Sequence, residues 1–170
     1  MKRRSLIFLI PVMMASCTQE KVGEVPMELK SVGIDPTRTV IESSSFDEAT
    51  ESSLGLFLKA ADGVSNYNGQ TSGFSNVRFS KPAGSAVWST ASQLSLTSAQ
   101  GTVFAYYPYA SSVTDITSVP VVSSINGDDY LYAVPAQGVN NANPSISLTM
   151  KHALALVSVK FVKSGSANAL

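Results

Sequence analysis

Few side chains in this sequence are equipped for chemistry, and the most telling is Cys17, the single cysteine among 170 residues. A thiol can act as nucleophile, metal ligand, disulfide half or lipid acceptor. With no second cysteine, an intrachain disulfide and a thiolate metal site are both excluded. The flanking residues select the lipid. Lys2, Arg3 and Arg4 form a cationic start, Leu6 to Met14 an apolar run, and the small residues Ala15 and Ser16 lead directly into Cys17. That is the layout of a secretory signal cut just before a cysteine. The run is shorter than the ~20 apolar residues a bilayer span needs, and Pro11 interrupts it. Residues 1–16 therefore read as a lipoprotein signal peptide and residues 17–26 as a flexible tether. Cys17 reads as the new first residue, carrying a diacylglycerol on sulfur and an acyl chain of the palmitate type on nitrogen. Each buried methylene contributes ~0.8 kcal/mol, so two or more chains anchor stably where one is marginal.

The constellations of an enzyme are missing. His152 is the only histidine, so a Ser-His-Asp site would have to use it, and a Cys-His pair is impossible within the domain. Its setting, Met150-Lys151-His152-Ala153-Leu154 between two strand patterns, suits a hydrogen bond at a strand junction. Asp128-Asp129 and Glu48 with Glu51 are carboxylate pairs without calcium-loop spacing. Gly23 and Gly33 stand alone, so no phosphate loop exists. The expectation is no catalytic residue, no metal and no cofactor. The aromatic run Phe104-Ala105-Tyr106-Tyr107-Pro108-Tyr109, with Trp88 upstream, has two readings. Tyr106, Tyr107, Tyr109 and Trp88 could form a platform that stacks sugar rings, which would make the protein a surface glycan binder. Alternatively, alternate rings fill a core and Pro108, which cannot donate a ladder hydrogen bond, ends the strand. The second reading is favoured.

Composition narrows the class further. Charged residues are only 14% against a hydrophobic fraction of 44%, where ~25% charged is usual. Ser, Thr, Asn and Gly take the place of charge, as suits β-sheets outside the cytosol. Removing Lys2, Arg3 and Arg4 from the twelve basic residues leaves nine against twelve acidic ones, near −3. No basic stripe remains to meet phosphate, so nucleic acid is not an expected partner.

The elements that must carry these residues are strands. Apolar residues recur at period two in short bursts: Met27 and Leu29; Leu54, Leu56 and Leu58; Val77 and Phe79; Leu94 and Leu96; Ile146, Leu148 and Met150; Val157, Val159 and Phe161 within Leu156 to Val162. Val103 to Tyr107 and Tyr130 to Val134 are aromatic-rich strands, and Val40-Ile41 could start another. Phe46 to Ser53 reads as an acidic loop. Turn chemistry separates the bursts at 66–69, 81–84, 126–129 and 140–144. Ser89 to Gln93 and Met150 to Leu154 are the two places for a helical turn. Many short strands at such spacing predict an all-β sandwich or barrel. Arg38, in Asp35-Pro36-Thr37-Arg38-Thr39, lies in a connection that Pro36 biases toward extended geometry, so the Arg38–Thr39 bond is open to a trypsin-like protease.

The ordered set of these pieces resembles the fimbrillin-like lipoproteins of Bacteroidales type V pili. The resemblance rests on the signal ending at Cys17, then Thr37-Arg38-Thr39, Leu54-Gly55-Leu56-Phe57 and Asn66-Tyr67-Asn68. It continues through Trp88, Ala105-Tyr106-Tyr107-Pro108-Tyr109, Asp129-Tyr130-Leu131-Tyr132-Ala133 and Lys151-His152-Ala153-Leu154. It implies a transthyretin-like Greek-key β-sandwich of about seven strands over residues 27–170, matching the first of two domains, with the second apparently missing. It further implies a non-enzymatic, lipid-anchored protein of the outer membrane and cell surface, found in the fimbrium once processed. Its partners would be other pilus subunits joined by donor-strand exchange. In that exchange a protease cuts after Arg38, the first strand leaves, and a neighbour's strand takes its place.

Overall fold

The structure is a computed structural model that describes residues 23–35, 46, 49–70, 74–122 and 129–154. Among the described residues nine strands run in chain order. β1 is Val25–Pro26, β2 Glu28–Ile34, β3 Ser52–Ala60, β4 Val77–Lys81 and β5 Ser95–Leu96. β6 is Gly101–Tyr107, β7 Leu131–Ala133, β8 Ala136–Val139 and β9 Ser145–His152. One curled, mixed sheet has the order β2-β9-β7-β6-β3-β4, with β8 also paired to β6, while β1 and β5 form a separate two-stranded ladder. The fold is all-β and sandwich-like, as the period-two pattern predicts.

The centre of the sheet is the antiparallel pair β3–β6, in register from Gly55↔Tyr106 to Ala60↔Gly101. Both strands are buried on both faces. Leu54, Leu56 and Leu58 of β3 meet Val103 and Ala105 of β6 in the main core, with Leu94, Leu96, Ile146, Leu148 and Met150. Phe57 and Tyr106 point the other way into a smaller cluster with Val113, against which Phe104, Ile116 and Val119 pack. Full burial of each such side chain stabilises by roughly 1.5–3 kcal/mol, so this pair contributes a substantial share of the apolar free energy of the fold.

Several local expectations need correcting. Met150 to His152 is strand rather than helical turn: Met150 pairs with Ala133 and with Ile34, and its carbonyl accepts from the Asp35 amide at 2.8 Å. Those ladder bonds use the backbone groups that a helix would need internally. Ser89 likewise exchanges both backbone bonds with Ser80, at 2.8 and 2.9 Å, so the 89–93 stretch does not coil. Single 3₁₀ turns occur instead at Tyr67–Gly69 and Ile116–Ser118. At the second, the Asp115 carboxylate accepts from the Thr117 amide, and its bonds to Thr117 hold its pKa below the usual carboxylate value. β3 starts at Ser52, inside the expected acidic loop. β8 has no alternating apolar pattern and holds Gly138 at φ +73°. The Val40-Ile41 and Leu156–Val162 strands lie outside the described residues.

Gly55 is fixed by sterics. A Cβ there would overlap the Tyr106 ring and stand 2.6 Å from Asn76 Oδ1. Neither can withdraw, because both belong to the hydrogen-bonded knot under the 110–119 segment. Gly55→Ala is expected to destabilise the domain by at least about 2–3 kcal/mol, the upper range for overpacking. Urea denaturation should show the midpoint falling with the slope unchanged, whereas an unchanged midpoint would remove Gly55 from the steric argument.

Candidate functional site

The most distinctive arrangement is the N-terminal segment. β1 pairs antiparallel with β5 (Val25↔Leu96, Pro26↔Ser95), and Met27 N–H continues that ladder to Leu94 C=O at 2.8 Å. The chain then crosses to β9 and runs parallel to it as β2, from Glu28↔Ser145 to Ile34↔Met150, with a register shift between Leu29 and Ser31. Backbone bonds fasten both ends: Glu28 N–H to Pro144 C=O at 3.0 Å and Asp35 N–H to Met150 C=O at 2.8 Å. Ser31 donates to Ser147 Oγ at 2.9 Å, and Ser145 to Glu28 Oε2 at 3.3 Å.

Among the described residues β2 is the outermost strand of its sheet, and its grip on the core is slight. Only Met27 and Leu29 are fully buried, at 6% exposure each, while Val32 and Ile34 are half-buried and Glu28, Lys30, Ser31 and Gly33 lie open or partly open. A cleft of about 610 Å³ lies between Met27–Lys30 and Ala86–Gln93, with Phe79 and Trp88 in its wall. Parallel pairing is somewhat weaker per residue than antiparallel pairing. Removing β2 would uncover one backbone edge of β9 from Ser145 to Met150, and with it the inward row Ile146, Leu148 and Met150. Such an edge is a template for another extended segment, with main-chain bonds giving affinity and alternate side chains filling pockets.

The expected aromatic residues separate. Trp88 is buried at 6% and meets Phe46 edge-on at 5.2 Å. Phe46 also meets Tyr107 at 5.1 Å. Tyr106, at 2% exposure, lies in the smaller cluster on the other face of the sheet. Tyr109 is half-buried, with the Arg78 guanidinium 5.6 Å from its ring centre and Arg78 paired to Glu51 at 3.2 Å. Two of the four rings are thus inside different packing clusters, so the four do not share one open stacking surface. Cys17, Arg38 and Thr39 lie outside the described residues. Sequence reading passed over Asn76, which holds φ +52°. Its amide accepts the Tyr106 hydroxyl proton at 2.7 Å and donates to Ala110 C=O at 2.9 Å. An isolated Asn before a strand gives no warning of this.

His152 hydrogen-bonds Asp129 through Nδ1 at 2.8 Å, with its side chain 6% exposed. The bond joins the residues that lead into β7 and out of β9, where Leu131 and His152 are partners. Among the described residues no three His, Cys, Asp or Glu side chains gather as a metal site would require, and no helix is long and apolar enough to cross a membrane.

Comparison with known proteins agrees with this architecture. A sequence model described as fimbrillin-like matches residues 37–169. A crystal structure of a candidate cell adhesion protein from Bacteroides uniformis superposes with TM-score 0.51 at 17% identity, over 79% of this chain and 49% of that one. A second candidate cell adhesion protein, from Bacteroides ovatus, gives TM-score 0.51 at 16% identity over 76% and 53%. The chain thus spans about half the length of these structures. No curated protein matches.

The Tyr106 phenol yields a pH test. Burial, the largest influence, pushes its pKa above the usual 10.0. A raised folded-state value means that its contribution is complete below pH ~10 and is lost as pH climbs through the folded value. Tyr106→Phe should cost about 1–3 kcal/mol at pH 8, because Asn76 is left without its donor, and the deficit relative to wild type should shrink above pH 10. Urea melts at pH 8 and pH 10.5 measure both; a deficit that grows with pH would contradict the assignment.

Proposed function

The chain belongs to the fimbrillin-like family of structural, non-enzymatic proteins, and we propose that it is a pilus subunit of the cell surface, delivered as a lipoprotein and joined to its neighbours by strand exchange. In this reading Cys17 carries the lipid that holds the protein at the outer membrane. A trypsin-like protease cuts between Arg38 and Thr39 and frees the segment from Cys17 to Arg38, which contains β1 and β2. An extended strand from another subunit then takes the place of β2 along β9. Left uncut, the same lipid is a permanent anchor.

The observation that carries the proposal is the position of β2. Among the described residues it is the outermost strand, parallel to β9 and secured in the core by Leu29 and the preceding Met27, and it ends four residues before Arg38 in sequence. A cut there converts an intramolecular contact at high effective concentration into a bimolecular one. The few kilocalories of burial and the ladder bonds of β1 and β2 must then retain it without the covalent link. The same contacts are available to an incoming strand with apolar residues at alternate positions. Adhesion proteins of related fold from Bacteroides support a surface role.

Limited trypsin digestion of the folded mature chain tests this. Mass spectrometry should show early cleavage after Arg38, loss of residues 17–38 and a resistant remainder, while Arg38→Ala should block that first cut. The trimmed protein should then bind a synthetic peptide of residues 25–35, and Leu29→Asp in the peptide should weaken binding at least tenfold. Diffuse cleavage through β3 and β6 with the 38–39 bond intact would end the proposal.

A further inference from the structure

The two strands that meet at the exchange site differ in regularity. β9 alternates without interruption: Ile146, Leu148 and Met150 are buried, while Ser147, Thr149 and Lys151 face water. Its ladder to β7, from Leu131↔His152 to Ala133↔Met150, has no register shift either. β2 breaks step. Leu29 pairs with Ile146 and Ser31 with Ser147, so two steps along β2 oppose one along β9, and Lys30 is the extra residue. Lys30 and Ser31 are both exposed, and the residues packed inward beside Ile146, Leu148 and Met150 are Leu29, Val32 and Ile34. An extra residue of this kind goes unpaired and disrupts the ladder around it. The irregularity lies in β2; the pattern of β9 does not call for it.

A second fault lies further along. Gly33 is paired with Thr149, and a Cβ built on it would meet nothing within 4 Å. The position has room for a side chain that β2 does not supply. Glycine inside a strand costs backbone entropy and gives its cross-strand neighbour nothing to pack on. The outward row of β9 is hydroxylic: Ser145, Ser147 and Thr149. Ser145 and Ser147 have side-chain hydrogen bonds to Glu28 and Ser31, and a threonine opposite Thr149 would complete the row.

We infer that the β9 edge is built for a strand that repairs both faults. That strand carries apolar residues at three successive alternate positions, in step with Ile146, Leu148 and Met150, with no extra residue between them. Opposite Thr149 it carries a β-branched hydroxyl residue. The inference rests on the strand-exchange reading above and names what the incoming strand of another subunit must bring. Lys30 and Gly33 then set the direction of exchange: they make the chain's own strand a weaker ligand than its replacement, so exchange runs downhill with no change in β9. Deleting Lys30 would bring Leu29, Val32 and Ile34 to alternate positions, residue for residue against Ile146, Leu148 and Met150.

Competition for the trypsin-cleaved chain tests this. The probe is a fluorescein-labelled peptide of residues 25–35. The competitors are that peptide unlabelled, with Lys30 deleted, with Gly33→Thr and with Lys30→Ala. Deletion should tighten binding at least about fivefold, equivalent to one or two recovered ladder bonds. Gly33→Thr should tighten it about threefold. Lys30→Ala keeps the residue count and should stay within about twofold of the parent. A parent peptide that binds while deletion brings no gain would overturn the inference and leave strand exchange standing. An equal gain from Lys30→Ala would overturn it too, by tracing the effect to charge. Failure of every peptide to bind would end both. Hydrogen exchange in the uncut full chain reads the same fault independently: deletion of Lys30 should slow exchange of the β2 amides at least about fivefold, with Lys30→Ala unchanged. Unchanged or faster exchange on deletion would contradict the inference, and if that deletion prevents folding the peptides still decide.

Discussion

The pairing of β3 with β6 is the constraint on which the rest of the molecule depends. These two strands are sealed on both faces, which the outer strands are not. Their seal requires the absence of a side chain at Gly55, because the Tyr106 ring lies across that backbone and is tied to Asn76 and Ala110. The tie lets a phenol sit in an apolar layer without an unsatisfied hydroxyl, and it fixes the course of the chain after β6. The smaller cluster around Phe57 and Val113 and the 3₁₀ turn at Ile116–Ser118 both follow from it.

Stability is distributed unevenly around that centre. β3 and β6 are buried along most of their length, whereas β2 buries only Leu29, just after the buried Met27, and its other residues are exposed or half-exposed. A protein that needed only to be stable would gain by burying more of β2. The charges of Glu28 and Lys30 and the irregular register beside them are features that discourage unwanted edge pairing. They also lower the cost of taking the strand away. The position of the strand, its poor anchoring and the nearby Arg38 combine into one functional reading.

How far the sequence carried depended on whether a strand is alternating and half-buried. β3, β4 and β9 announce themselves because apolar residues recur at every second position, and β6 by its aromatic-rich run, and the fold class follows. β8, with Ala-Gln-Gly-Val, has no such pattern, and its pairing to β6 is a consequence of the curled sheet rather than of its own composition. The supposed turn at Met150 failed for a related reason. Local propensity there is overridden by strands on both sides that claim its backbone. At the candidate site, the alternation of Met27 and Leu29 identified β2 as a strand, but its parallel pairing to a segment more than a hundred residues away could not be read from local pattern. The aromatic run was legible as core on one face; that Tyr106 would serve a second cluster was not.

Met27 is a pivot between two ladders, antiparallel on its N-terminal side and parallel on its C-terminal side. That division has a mechanical consequence. Tension applied to the chain ahead of Val25 falls first on the two-residue ladder of β1 with β5 and on the Met27–Leu94 bond. Only after those yield does load pass to the longer ladder along β9. Resistance to pulling is a rate, set by the barrier to the first rupture. The N-terminal segment therefore has a short fuse ahead of a longer one, and the β3–β6 centre is shielded from a pull at that end until both have opened.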